Sequence, residues 1–344
     1  MTKQKKVKSV LLLAVLLLSV LCIAGSVLGK NGKKAIEAEA DESYAEQETT
    51  DELQRLLWNK VRLNGKKYRY STDYETFLLI GTDQSGTEAE DRQSYVGNMA
   101  DFLLLAVVNR TEKTGAFLSL NRDTMTEISL IDQNGEGEAT AEMQLCTAHW
   151  YGGNKTESCE NTVQAVEKLL GGIRINGYYE INMNDIRKLN HAVGGVTVTV
   201  DSDFKEVDPS LKKGETITLN DEQAYHFLQT RVGVEDEENR SRMKRQKQYL
   251  EAFAKKMKTE AEKDPEKLLE IYEQMKETAV TDMTAGELAD LLTDSVNFQN
   301  RGFFELTGDF TSGEHLDDGL EHTEFYPDEE NLEHTVKILY NIMD

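Results

Sequence analysis

Two stretches decide the fold: Thr76-Phe77-Leu78-Leu79-Ile80-Gly81-Thr82-Asp83, and Asp101-Phe102-Leu103-Leu104-Leu105-Ala106-Val107-Val108. Neither shows the apolar–polar alternation of a strand with one wet face. Short runs that are apolar on both faces are expected of central strands covered by helices on either side. The first run ends in an aspartate and the second begins with one. If the two strands are antiparallel neighbours, Asp83 and Asp101 converge, as a hard oxygen-ligated cation such as Mg²⁺ requires. The other reading of the pair is a polar loop residue beside a strand-edge residue.

Outward from this pair the same grammar continues. Ala116-Phe117-Leu118-Ser119-Leu120 reads as a third strand, ending at Asn121-Arg122-Asp123. Upstream, Asn64-Gly65 between Val61-Arg62-Leu63 and Lys66 to Tyr70 is a two-residue hairpin signal. Downstream, helical spacing runs from Cys159 to Leu170. Residues 178–183 and 196–200 read as strands around a helix from Asn184 to Val193. Asp221 is placed as the cap of a helix through Gln229, and a long helix is expected from Asn239 to Thr259. Two amphipathic helices are expected over 265–297, with Thr284 capping the second, then a strand near Phe303 to Leu306 and a helix from Glu329 to Met343. This alternation predicts a layered α/β domain, a central mixed sheet flanked by helices.

The N-terminus is of another kind. Lys3, Lys5, Lys6 and Lys8 precede an apolar run from Val10 to Leu28. That length suits a membrane-crossing helix of roughly 20 residues, and the basic cluster predicts a cytoplasmic N-terminus with the main domain outside the cell. A cleaved signal peptide is the alternative, given Ala24, Gly25 and Ser26. The expected organisation is a basic tail over 1–9, an anchor over 10–29, a stalk over 30–60, a catalytic domain over 61–260, and a mainly helical extension of it over 261–344.

The chain has 344 residues and a net charge of −23, with 39 basic and 62 acidic residues. Beyond residue 30 the balance is 34 basic against 62 acidic, a net of −28. Nucleic-acid binding depends on neutralising phosphates with Lys and Arg, so that class of partner is excluded. Against this acidic background the arginines stand out. Arg122 follows a strand, Arg231 follows a helix, and Arg240, Arg242 and Arg245 open the next helix, with Gln246 one turn beyond Arg242. Planar guanidinium forks suit phosphate oxygens. Ion pairing with Glu235, Asp236, Glu237 and Glu238 would account for some of them equally well. Cys146 and Cys159 have the option of pairing in an oxidising compartment. His149, beside Trp150 and Tyr151, reads first as a structural histidine. No His/Cys grouping has the sequence spacing of a zinc site.

Taken in order, these pieces resemble the LytR-CpsA-Psr family from about residue 73 to residue 255. They are Leu78 to Asp83, Ala100-Asp101, Ser119 to Thr124, Ala148 with Gly152-Gly153, Val193 to Val196, Gly214 with Leu219, Gln223-Ala224-Tyr225, Thr230-Arg231 and Arg242 to Gln246. The resemblance implies a membrane-anchored phosphotransferase moving a glycopolymer from a polyprenyl-pyrophosphate carrier to peptidoglycan. It also implies a Mg²⁺ (or Mn²⁺) ion and a hydrophobic tunnel for the lipid. It assigns Asp83 and Asp101 as metal ligands. Arg122, Arg231, Arg242 and Gln246 are assigned to the pyrophosphate clamp; beside them Asp123 is a further catalytic candidate, and Arg240 and Arg245 are substrate-binding candidates, either of which could replace an arginine the family usually has. Three positions depart from the family's usual pattern. Met99 and Gln229 stand where arginines are usual, and Asn239 where an acidic residue is usual. Asp236 is the candidate substitute for that carboxylate. The departures keep a second function open, a wall-associated protein that binds polyprenyl lipid or peptidoglycan without transferring anything.

Overall fold

The computed structural model describes residues 57–83, 97–130, 139–234, 239–263, 275–276, 278–284, 286–287, 291, 298–315 and 319–343. The expected tail, anchor and stalk lie outside the described residues, apart from the last few of the stalk. So do Asp236 and most of the two amphipathic helices expected over 265–297. Among the described residues no helix is long and apolar enough to cross a membrane.

In chain order, β1 (Trp58–Leu63) and β2 (Lys66–Ser71) form the expected hairpin. Asn64 and Gly65 turn it with φ of 46° and 72°, as a type I′ turn needs. β3 (Tyr74–Thr82), β4 (Ala100–Asn109) and β5 (Thr114–Leu120) follow, then β6 (Met125–Leu130) and β7 (Ala139–Gln144). A 3₁₀ turn (Leu145–His149) leads to α1 (Lys155–Leu169), β8 (Gly177–Asn182) and α2 (Asp185–Ala192). The short pair β9 (Thr197–Thr199) and β10 (Thr216–Thr218) precedes α3 (Asp221–Gln229) and the long α4 (Asn239–Lys263). β11 (Val280–Thr281), β12 (Gln299–Glu305), the hairpin β13 (Gly308–Gly313) and β14 (His322–Pro327), and α5 (Glu329–Leu339) close the chain.

Six strands make the central sheet in the order β11-β8-β3-β4-β5-β12. β3 runs antiparallel to β4 and parallel to β8, and β5 runs antiparallel to β4 and parallel to β12. The sheet is therefore mixed. Alternate residues feed two cores, because successive strand side chains point to opposite faces. Phe77, Leu79, Leu104 and Ala106 pack with Leu189 of α2, Phe227 of α3 and Phe253 of α4. Leu78, Ile80, Leu103 and Leu105 pack with Val166 of α1, Leu339 of α5 and Tyr70 of β2. Each buried Leu or Phe contributes about 1.5–3 kcal/mol, so two-sided burial explains the unbroken apolar runs.

Two expectations need correction. Asn220, not Asp221, caps α3: its side chain accepts from the Gln223 amide while the Gln223 side chain accepts from the Asn220 amide, a full capping box. α1 begins at Lys155, where Asn154 supplies the cap, four residues before its apolar face starts. Most of 265–297, where helices are expected, lies outside the described residues; the described part of 261–344 adds β12 to the sheet edge, the β13–β14 hairpin and α5. Asp309 to Ser312 are exposed in succession and only Glu324 and Phe325 of the partner strand are buried, so the hairpin lacks the apolar run that marks the buried strands.

Candidate functional site: an arginine cluster at the end of the central strands

The β3–β4 pairing brings Thr82 opposite Ala100, so Asp83 and Asp101 do lie at one end of the sheet. The Asp83 amide donates to the Met99 carbonyl at 3.4 Å, and its own carbonyl accepts from Asn182 Nδ2 at 2.9 Å. Asp101 is 5% exposed. Its Oδ1 accepts from Arg242 Nη1 at 3.0 Å and, in a shorter contact, from Arg122 Nη1. Arg122 reaches on to Asp123, with Nε 3.4 Å from Oδ1, and Asp123 Oδ2 lies 4.0 Å from Arg231 Nη1. Three arginines thus surround two carboxylates, and the half-exposed Arg231 forms the outer rim.

The turn Asn121-Arg122-Asp123 is locally fixed. Asn121 Oδ1 accepts from the Asp123 amide at 3.0 Å, and the Thr124 hydroxyl donates to the Asn121 carbonyl at 2.7 Å. The same Oδ1 accepts from Asn239 Nδ2 at 2.6 Å, tying the start of α4 to the turn. Asn239 Oδ1 in turn accepts two hydrogen bonds from Arg242, at 2.6 and 3.0 Å. Met99 and Cys146 present their sulfurs to Arg122 Nη2 at 3.0 and 3.1 Å. Asn121, Asn239 and Cys146 are the members that sequence reasoning did not assign to the site.

The remaining expected residues take different places. α3 ends with orphan carbonyls, as every helix does, and α4 supplies their partners. Arg245 donates to the carbonyls of Phe227 and Thr230 at 2.8 and 2.5 Å, Gln246 to that of Leu228 at 3.2 Å, and Arg242 to that of Gln229 at 3.3 Å. Arg245 is 1% exposed, with Phe204 stacked near its guanidinium. Its donors hold a helix end, which differs from the expected contact with substrate. Arg240 is exposed on the first turn of α4.

Charge follows from these contacts. Burial alone would push the Asp101 carboxyl up, but Arg242 and Arg122 together hold it below the usual carboxylate range. Burial wins at Asp123, whose carboxyl is raised despite Arg122 and Arg231. Burial lowers Arg242. Asp123 Oδ2 is buried and has no hydrogen-bond partner. Carboxylate oxygens such as those of Asp83, Asp101 and Asp123 are the hard donors that a Mg²⁺-class cation takes, but among the described residues these three do not bring their oxygens within 4.8 Å of one another. The donor chemistry fits such an ion.

An apolar cleft of about 40 Å³ opens beside the cluster. Gly81 and Phe102 of the sheet, Ile186 of α2 and Gln246, Leu250 and Phe253 of α4 line it. A Cβ on Gly81 would stand 2.9 Å from Phe102 Cβ and 3.1 Å from Met183 Sδ, so the floor needs glycine.

The chain resembles several known proteins. It is 29% identical over 342 residues to the polyisoprenyl-teichoic acid–peptidoglycan teichoic acid transferase TagV of Bacillus subtilis, covering 97% of this chain and 78% of that one. It is 32% identical over 182 residues to the corresponding TagU of Bacillus cereus, covering 53% of this chain and about half, 52%, of that relative's length. Among solved structures, TagT bound to LI-WTA matches with a TM-score of 0.56 at 25% identity, over 78% of this chain and 90% of that one. A protein from Streptococcus agalactiae shares the fold with a TM-score of 0.61 at 24% identity, over 78% and 88%. The LytR_cpsA_psr family model matches residues 31–336. The chain therefore belongs to the LytR-CpsA-Psr family.

Proposed function

We propose that this protein is a membrane-anchored, extracytoplasmic phosphotransferase that moves a glycopolymer from a polyprenyl-pyrophosphate carrier to peptidoglycan. The observation that carries the reading is the excess of guanidinium over carboxylate in a mostly buried cluster, next to an apolar cleft. An anionic pyrophosphate restores the balance, and an isoprenoid tail suits the cleft. Relatives named as teichoic acid transferases support the same substrate class.

In this reading Arg122, Arg231 and Arg242 hold the pyrophosphate oxygens, where charge develops as the acceptor hydroxyl attacks the sugar-linked phosphorus. The bond to the bridging oxygen breaks, polyprenyl phosphate leaves, and the hydroxyl proton passes to solvent or a carboxylate. Asp123 positions Arg122 and Arg231, while Gln246 and Arg245 act through the end of α3. Asp83 and Asp101 would hold a Mg²⁺ or Mn²⁺ ion, which supplies charge neutralisation at the pyrophosphate. The cleft is far smaller than a polyprenyl chain, so α2 and α4 separate when lipid enters.

Arg231 is the cleanest probe because it is half-exposed and its loss leaves the core untouched. The full chain in detergent, given a polyprenyl-pyrophosphate saccharide, a peptidoglycan oligomer and Mg²⁺, is expected to make a phosphodiester-linked product seen by mass spectrometry. Arg231→Ala should lower that rate about 100-fold with unchanged melting. An unchanged rate would remove Arg231 from the site. The second reading, a binder without transfer, is favoured by the Met99 thioether that faces Arg122 in place of a guanidinium. Lipid retained but unreacted in wild type, and converted in Met99→Arg, would establish it.

A further inference from the structure

On the other side of β3 lies a second buried polar cluster that the transferase reading does not use. His149 ends the 3₁₀ turn, Cys159 lies in α1 and Glu180 in β8, with exposures of 1%, 0% and 7%. Cys159 Sγ is 3.2 Å from Glu180 Oε2 and 3.8 Å from His149 Nε2, and Nε2 is 3.7 Å from Oε2. We propose that these three side chains form a binding site for a zinc-class transition-metal ion.

The triangle has the right size. Zinc bonds of about 2.3 Å to sulfur and about 2.0–2.2 Å to nitrogen and oxygen, at tetrahedral angles, put ligand atoms about 3.3–3.6 Å apart. Closing on an ion asks for shifts of a few tenths of an ångström. The outer contacts orient the right atoms inward. His149 Nδ1 lies 2.8 Å from the Asn98 carbonyl, which only accepts, so Nδ1 donates there and Nε2 is the ring nitrogen left facing the centre. Glu180 Oε1 accepts from the Thr82 hydroxyl at 2.8 Å, leaving Oε2 for the centre. Partners of this kind are what metal-ligating histidines and carboxylates have.

Without an ion the Cys159 thiol donates to Oε2 at 3.2 Å, while His149 Nε2 stands 3.7 Å from the same oxygen, beyond hydrogen-bond reach. Burial and Glu180 push the Cys159 thiol well above its usual range, and the other charged groups acting on it, Asp282 and Glu160, are carboxylates too. A divalent cation reverses that field and deprotonates the thiol, whose proton is released to solvent. Sulfur and imidazole select zinc-like ions over Mg²⁺. The ligands come from three elements, so the ion would fasten α1 to the sheet. Through Asn98 and Thr82 it would also brace both ends of the segment between Asp83 and Met99.

The test uses the full chain in detergent, stripped with a chelator. Co²⁺ titration should give a thiolate-to-cobalt absorption band at one equivalent, and Zn²⁺, but not excess Mg²⁺, should abolish it. Elemental analysis after desalting should find one zinc per chain. Cys159→Ser should remove the band, and His149→Gln should weaken binding by more than about 100-fold. Should either variant fail to fold, Thr82→Val, which removes only the outer hydrogen bond to Glu180, should weaken binding about 10–100-fold. A wild-type chain with no thiolate band, or a band that survives Cys159→Ser or is unmoved in Thr82→Val, overturns the proposal.

Discussion

Two buried polar clusters lie at the same end of the central strands, and they are opposite in kind. Around Asp101 the donors are in excess, with Arg122, Arg231 and Arg242 against two carboxylates. Around Glu180 stand an imidazole, a thiol and a single carboxylate, with no arginine or lysine paired to them among the described residues. Buried charge is tolerated only when it is matched. In the proposed readings an anion matches the donor-rich cluster beside the cleft, and a cation matches the cluster sealed in the core. The difference in access is equally informative. Arg231 is partly open to solvent, as a group that meets substrate must be, whereas His149, Cys159 and Glu180 are all closed in.

The largest expected effect tests the first cluster's balance. Asp101→Ala leaves Arg122 and Arg242 buried without their shared carboxylate and should cost about 3–5 kcal/mol in urea unfolding. Asp101→Asn keeps an acceptor for one guanidinium and should cost clearly less. Equal losses would mean that shape, not charge, holds Asp101 in place. Next, Leu250→Trp fills the apolar cleft without touching a charge. It should weaken binding of a short polyprenyl phosphate about tenfold, measured by calorimetry, while inorganic pyrophosphate binding stays put. Parallel loss of both ligands would merge what the comparison separates.

The smallest effect is in pH. Asp101 has a lowered carboxyl, so its contribution to stability is complete above the unfolded value near ~3.9 and is lost only as pH falls through its lower folded value. Asp123 is raised, so its charged form opposes folding, and stability falls as pH rises through that raised value. On acidification Asp123 should therefore take up its proton before Asp101 in carboxyl-carbon NMR. The reverse order would contradict the assignment of which carboxylate the arginines hold.

Much of this was legible in the residues. The runs Phe77 to Ile80 and Phe102 to Val108 marked central strands, because two-sided burial leaves no other pattern, and their flanking aspartates fall at one end of the sheet as expected. Arg122 was legible from its place after a strand. Arg245 was not, since a guanidinium three residues from Arg242 looks the same whether it meets phosphate or the orphan carbonyls of α3. The His149–Cys159–Glu180 cluster was invisible for a different reason. Its members stand on a turn, a helix and a strand, and only tertiary packing gives them a common spacing. Cys146 and Cys159, whose pairing was left open, are both free and buried, each in a different cluster.

One backbone contact sets a timetable. The amide of Phe325 donates to the carbonyl of Asp123 at 2.8 Å, and Thr124 bridges the same strand, so the turn that carries Arg122 is clamped by β14, the last of the described strands. During synthesis the central strands can pair long before that strand exists, because contacts distant in sequence form late. The arginine turn therefore waits, half-held, until the C-terminal hairpin arrives and locks it. A chain released early, short of residue 325, would own every residue of the site and lack the clamp that finishes it.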